Sequence, residues 1–453
     1  MNKNIDMTRG KPLRLLISFA LPLMLGNVFQ QLYTVVDTAI VGQVSMDALA
    51  ALGTVDWLNW MLLGIAQGFT QGFSVRIAQK FGEGNEEGLR QTVGQSALMS
   101  AGIALACTLG IQLMLPLVLE LLRVPGELKP MATLYTRILM AGLPVVVFYN
   151  YCAAVLRAVG DSRTPLIAMV AAALTNIVLD CIAVFWLGWG IAGVAAATVA
   201  AQCLSGIICA VKIARSSQLR FRKCHLKPKK RDCRDLAAIG SPIAAKNMII
   251  AVGGMVIQRY VNGFALSFIA GFTATNKLYG LLEIAALSYG YAVTTYVGQN
   301  YGAGRTDRIR KGIRSAVLLS LATSVVIAGI MLLLGRQITM LFISGEDPMM
   351  IAAAGETAYA YLCVMSICLP VLYLLYVFLS ALQGIGRTVD TMISGIIEFF
   401  LRVGLAILVG HLGYAAGLYG AEVSAWFGAA VYLAISYFRG MRKMEKEKLA
   451  AEN

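Results

Sequence analysis

Seven carboxylates stand inside long apolar runs or at their edges: Asp37, Asp56, Asp180, Glu283, Glu356, Glu398 and Glu422. An ionised side chain at the centre of a membrane span costs about 2.5–3.5 kcal/mol on insertion scales, so each is a functional candidate by default. Some have a bland explanation. Asp56 and Glu356 lie near the outer ends of their runs and can reach water. Glu398 and Arg402 are four apart, on one face of a helix, and can neutralise each other. Lys246, an in-span base, is near enough to the start of its run to snorkel. Glu422 has no partner in sequence. Glu283 and Lys277 are six apart, on different helix faces, and stand as a secondary charged site without direct contact.

Asp37 and Asp180 differ, because no basic residue lies within a turn of either. Asn176 and Asp180 are four apart, so both polar heads share one helix face. With the hydroxyl of Thr198 the set is two carboxylates, an amide and a hydroxyl. That is a hard, oxygen-rich site suited to a small cation such as Na+. Crowded, desolvated carboxyls are equally suited to take up and release a proton. The plainer alternative is that each acid is capped separately by backbone or water.

These groups can act together only if the helices bring them to one depth. Of 453 residues 58% are apolar and 14% charged, against about 25% charged in a soluble domain. This excludes a soluble multidomain enzyme, a disordered chain and a secreted disulfide scaffold. Apolar runs fall at 14–38, 48–75, 91–118, 131–156, 165–187 and 190–212, then at 236–262, 266–298, 312–335, 350–381, 389–410 and 413–438. Each can cross a hydrocarbon core of about 30 Å. The N-terminus, the even-numbered loops and the C-terminal tail hold 30 of the 38 Lys and Arg; the odd-numbered loops hold only Arg123, Lys129 and Arg336. By the positive-inside rule both termini are cytoplasmic and the span count is even, which fits twelve. The net charge of +14 is then mainly topological, with attraction to anionic lipid secondary and no nucleic-acid partner implied. The first run follows Lys11 and Arg14 without a cleavage pattern and reads as a retained helix. On this map Asp180 lies about 24 Å along the fifth span and Thr198 about 12 Å below the outer surface in the sixth. Asp37 is near the outer end of the first. All fall in the outer half.

The chain repeats itself. Gln79 to Gly84 (QKFGEG) is answered by Gln299 to Gly304 (QNYGAG) at an offset of 220, which also maps Pro22 onto Pro242. Leu156 to Gly160 is answered by Leu382 to Gly386 at 226, and the Gly190–Gly193 segment by Gly417–Gly420 at 227. The organisation is a tail over 1–13, an N-lobe over 14–213, a basic linker over 214–235, a C-lobe over 236–438 and a tail over 439–453. Six spans per lobe make a parallel repeat, a recurrent design of secondary transporters. No ATP-binding motif occurs, so transport draws on an ion gradient or is passive, and no cofactor is implied. His225 and His411 are the only histidines, and no nucleophile–base set or metal cluster falls within spans, which argues against an enzyme. Seven of nine cysteines lie in spans; Cys224 and Cys233 flank His225 in the basic linker without a zinc spacing.

Several segments, taken in order, resemble the multidrug and toxic compound extrusion (MATE) transporters, especially their bacterial DinF-like and MepA-like branch. They are Pro22 and Gln30-x-x-Tyr33-x-x-x-Asp37, Val41-Gly42, Leu156 to Asp161, Asn176-x-x-x-Asp180, Gly190 to Gly193 and Val297 to Gly304. The resemblance covers about residues 10–440 and implies an all-α membrane fold of twelve helices in two pseudo-symmetric lobes. It also implies export of amphipathic, often cationic drugs or toxic metabolites in exchange for Na+ or H+, by a monomer in the bacterial plasma (inner) membrane. The implied cation or proton site is Asp37, Asn176, Asp180 and Thr198. Gln30, Tyr33 and Met169 match substrate-binding positions, and Pro22 the proline at which the first helix bends. One departure matters: the NorM branch carries an acid eight residues after the proline of the seventh helix, where this chain has Ile250. That argues against a C-lobe cation site of that kind. The alternative from the same superfamily is a flippase for lipids or lipid-linked oligosaccharides, which needs basic residues lining its cavity; Lys277, Arg259 and Arg402 are the candidates.

Overall fold

The computed structural model describes residues 5–121, 124–343 and 347–452, and among these every regular element is helical. The first half runs α1 (Pro12–Val44), α2 (Met46–Gly82), α3 (Glu86–Leu121), α4 (Lys129–Ala141), α5 (Leu143–Ala158), α6 (Arg163–Cys181) and α7 (Gly190–Arg215). The second runs α8 (Lys230–Val261), α9 (Leu266–Gly302), α10 (Thr306–Met340), α11 (Pro348–Ile385), α12 (Thr388–Leu412) and α13 (Tyr419–Glu452). Each apolar run of the sequence is realised as a helix or, for the fourth, as the α4–α5 pair. Nine of the described helices are apolar and long enough to cross a membrane, and the bent pair makes ten. Two further long helices, α2 and α9, bring the number to twelve. They are repeat mates of 37 residues each, with bounds 220 apart at both ends.

The bend of 43° between α4 and α5 is explained by Pro144. Proline has no N–H to donate four residues back, which frees the Met140 carbonyl. That carbonyl accepts a hydrogen bond from the Thr108 hydroxyl of α3 at 3.2 Å, beside a backbone N–H of the helix cap. At the break, a Cβ on Gly142 would stand 2.2 Å from Val199 Cγ2 of α7, so glycine permits the approach. The repeated loop tips behave as glycine turns should: Gly84 and Gly304 adopt φ of 70° and 68°, a region open to glycine at little cost.

Two compact units divide the chain. One comprises Met1–Met7 and Leu21–Ala244, the other Thr8–Ala20 and Ala245–Asn453. Both changes of allegiance fall within two residues of a repeated proline, Pro22 of α1 and Pro242 of α8. The start of α8 belongs to the first unit because it crosses α2 with backbones nearly touching. A Cβ on Gly68 would lie 2.5 Å from Ala244 Cα, and one on Gly72 2.4 Å from Gly240 Cα. Small residues four apart on both helices are a recurrent solution for close crossings in membranes. The basic linker is folded onto α3. His225 Nε2 lies 2.9 Å from Glu87 Oε1, and Gln91 Nε2 donates to Asp232 at 2.6 Å.

Candidate functional site

The acids of the first unit meet along a seam between α1 and α6. Asp161 starts α6 by accepting hydrogen bonds from the backbone N–H groups of Arg163 and Thr164 and from the Thr164 hydroxyl, at 2.7–3.1 Å. Gly26 lets α1 approach, since a Cβ there would stand 3.1 Å from Met169 Sδ. Asp37 is three turns beyond Gly26, and Asp180 three turns beyond Met169. Two parallel helices in contact at the lower pair stay in register at the upper one. Asp37 and Asp180 are indeed interaction partners, with Asn176 beside Asp180. A π-helical turn, Ile182–Trp186, follows at once, a deviation that is frequent at functional sites.

α7 closes the third side. Ser205 Oγ donates to the Ala168 carbonyl at 2.9 Å, fixing α7 against α6. The Tyr33 hydroxyl lies beside Asp37, Gln30, Thr34 and Gln202. Because α1 and α7 run in opposite directions, a turn up from Tyr33 reaches Asp37, and a turn up from Gln202 reaches Thr198. That register sets Thr198 level with Asp37. The Thr198 hydroxyl donates to the Val194 carbonyl at 3.0 Å, leaving its oxygen lone pairs available.

Asp180 and Asn176 are buried, at 0% and 1% exposure, while Asp37, Tyr33, Met169 and Pro22 are half-buried and Gln30 is exposed. Both carboxylate oxygens of Asp180, Oδ1 of Asp37 and both polar side-chain atoms of Asn176 are buried without a hydrogen-bond partner. Buried polar atoms left unpaired are costly, and this set consists of four oxygens and one amide nitrogen. Its donor chemistry fits a small hard cation or a proton. Gln202 is missed by the sequence reading; its spacing of four from Thr198, which sets both on one helix face, is the signal that could have found it.

The second unit collects a different set. Arg402 Nη2 donates to Glu422 Oε2 at 2.6 Å, and Glu398 lies within electrostatic reach of Arg402. The Tyr376 hydroxyl donates to Glu283 Oε1, with Lys246 the neighbouring cation. Two expectations change accordingly, those for Glu422 and Lys246, and the separation expected of Lys277 and Glu283 is found. Glu422, unpaired in sequence, is the direct partner of Arg402. Lys246 does not snorkel; its stem crosses Gly395, where a Cβ would lie 2.7 Å from Lys246 Cγ. Lys277 is exposed and stays apart from Glu283. The side chain of Asp56 lies outside the described residues. Among the described residues no three His, Cys, Asp or Glu side chains are placed to hold a metal ion.

Comparison with known proteins agrees with this organisation. The MatE family model matches twice, over residues 22–182 and 242–408, each match opening at a repeated proline. The chain is 26% identical over 88% of both lengths to the probable multidrug resistance protein YpnP of Bacillus subtilis (strain 168). It is 25% identical to the probable multidrug resistance protein NorM of Thermotoga maritima, over 85% of this chain and 82% of that one. Its fold superposes on an outward-facing multidrug resistance MATE family transporter of the MOP superfamily with a TM-score of 0.89 at 22% identity, covering 98% and 99% of the two chains. With a double match to the family model over both halves, and an all-helical fold to go with it, this multi-pass membrane protein belongs to the MATE family of transporters.

Proposed function

We propose that this chain exports amphipathic, often cationic compounds in exchange for H+ or Na+ by alternating access of its two lobes. The single observation that carries the reading is the Asp37–Asp180 pair, with three of its four carboxylate oxygens buried and unsatisfied. The names of the relatives support export of drugs. In this reading a cation or proton from outside neutralises the pair, and α1 responds at Pro22, where its helical hydrogen bonding is already interrupted. Substrate leaves outward and the unloaded protein reopens inward. Thr198 and Asn176 complete the shell when the ion is Na+; the two carboxyls suffice for a proton. Gln30, Tyr33 and Met169 contact substrate. The setting is a bacterial plasma membrane, with both termini cytoplasmic.

The driving force is adequate. One pH unit is worth about 1.4 kcal/mol per proton, and 100 mV about 2.3 kcal/mol per charge. One or two ions therefore support tens- to thousands-fold accumulation.

The test is ethidium efflux from proteoliposomes under separately imposed Na+ and H+ gradients. Asp37→Asn and Asp180→Asn should each abolish gradient-driven efflux while the protein reaches the membrane in normal amount. Undiminished efflux by the double variant would sink the assignment.

A further inference from the structure

The seam that carries the acids in the first unit has a counterpart in the second. The offset of 220 maps Gly26 onto Lys246, and that of 226 maps Met169 onto Gly395. Both pairs are close helix contacts: α1 with α6 at Gly26, and α8 with α12 at Gly395. The same offsets map Asn176 onto Arg402, Asp37 onto Ile257 and Asp180 onto Ala406. The second unit therefore keeps the seam, discards its two aspartates and holds another set of charges there.

That set does not balance. Lys246 and Arg402 carry two positive charges, against three negative ones on Glu283, Glu398 and Glu422. Lys246, Glu283 and Glu398 lie near the middles of α8, α9 and α12. Lys246, Glu398 and Arg402 are only 5–7% exposed. Glu398 Oε1 and Arg402 Nε are buried without a partner, and Lys246 has no ion-pair partner within 4 Å among the described residues. Tyr279 of α9 and Tyr361, Tyr373 and Tyr376 of α11 are the other titratable groups facing the cluster. They add no positive charge. An unbalanced negative charge held this deep is costly, and a carboxylate can shed it by binding a proton.

We infer that Glu283, Glu398 and Glu422 share one exchangeable proton, taken from and returned to water, which gives the second unit its own proton-binding site. The proton belongs to the three carboxyls jointly, with Lys246 and Arg402 setting how many are bound. Its use in coupling rests on the exchange reading above; its existence does not.

Infrared difference spectroscopy across a pH titration reads it without substrate. The sample is the full chain carrying Asp37→Asn and Asp180→Asn, in phosphatidylcholine liposomes. A desolvated carboxyl C=O band should persist in this background. Glu283→Gln and Glu398→Gln, each making the cluster neutral, should remove it. Lys246→Gln adds one uncompensated charge and should raise its amplitude about twofold, for two protons in place of one. This opposite response separates charge balance from misfolding, which only loses signal. A missing band in the background, or one that the glutamate and lysine variants leave unchanged, overturns the proposal. Failure of ethidium exchange by the unsubstituted chain, with this band intact, would overturn only the transport reading.

Discussion

Asp37 and Asp180 were readable as a pair because each lacked a base within a helical turn, a property of spacing alone. Their depth followed from the rise per residue. Gln202 was harder to see, since its relevance depends on which face of α7 meets Tyr33. The register that sets Thr198 level with Asp37 makes a discriminating prediction. Removing one oxygen from a hard cation's shell weakens binding, because affinity follows ligand number, whereas a proton needs only the carboxyls. Thr198→Ala should therefore raise the Na+ concentration for half-maximal exchange and leave proton-driven exchange unchanged. Equal loss in both would reduce Thr198 to a packing residue.

Helices form here wherever the apolar runs predict them, and the departures have local causes. The fourth run reads as one span but breaks at Gly142, because Pro144 cannot donate and Thr108 takes up the freed Met140 carbonyl. Thr108→Val should lower stability by about 1 kcal/mol, the usual net worth of such a hydrogen bond. Gly142→Ala should cost more, about 1–3 kcal/mol for overpacking, because its Cβ would meet Val199. Gly102→Ala, which has open space around it, is the control. Thermal unfolding in detergent should rank the three with Gly102→Ala nearest the parent; a Gly142→Ala midpoint equal to that of Gly102→Ala would contradict the close approach of α7.

The alternation of basic loops and the six-plus-six repeat predict topology for the entire chain. Cys224 offers a direct check, being the exposed cysteine among the nine, in the linker assigned to the cytoplasm. A membrane-impermeant maleimide should label it in inside-out vesicles and spare it in intact cells; labelling of intact cells would reverse the orientation. The repeat also shows how unequal two halves can become. Equivalent seams hold two aspartates in one unit and a five-charge cluster in the other, while α1 and α8 change allegiance at equivalent prolines.

Composition, periodicity and charge placement were enough to predict a span map and an orientation and to find the duplication and the in-span acids, because these depend on distances along one chain. Pairing was another matter. Arg402 has Glu398 one turn away on its own helix, yet its short hydrogen-bonded partner is Glu422 of α13, and Glu283 finds Tyr376 and Lys246 in place of Lys277. Helical periodicity gives a side chain its face and its depth. Which neighbour stands opposite is chosen by the lateral packing of helices, set here by small residues such as Gly26, Gly142 and Gly395 that let particular pairs come close.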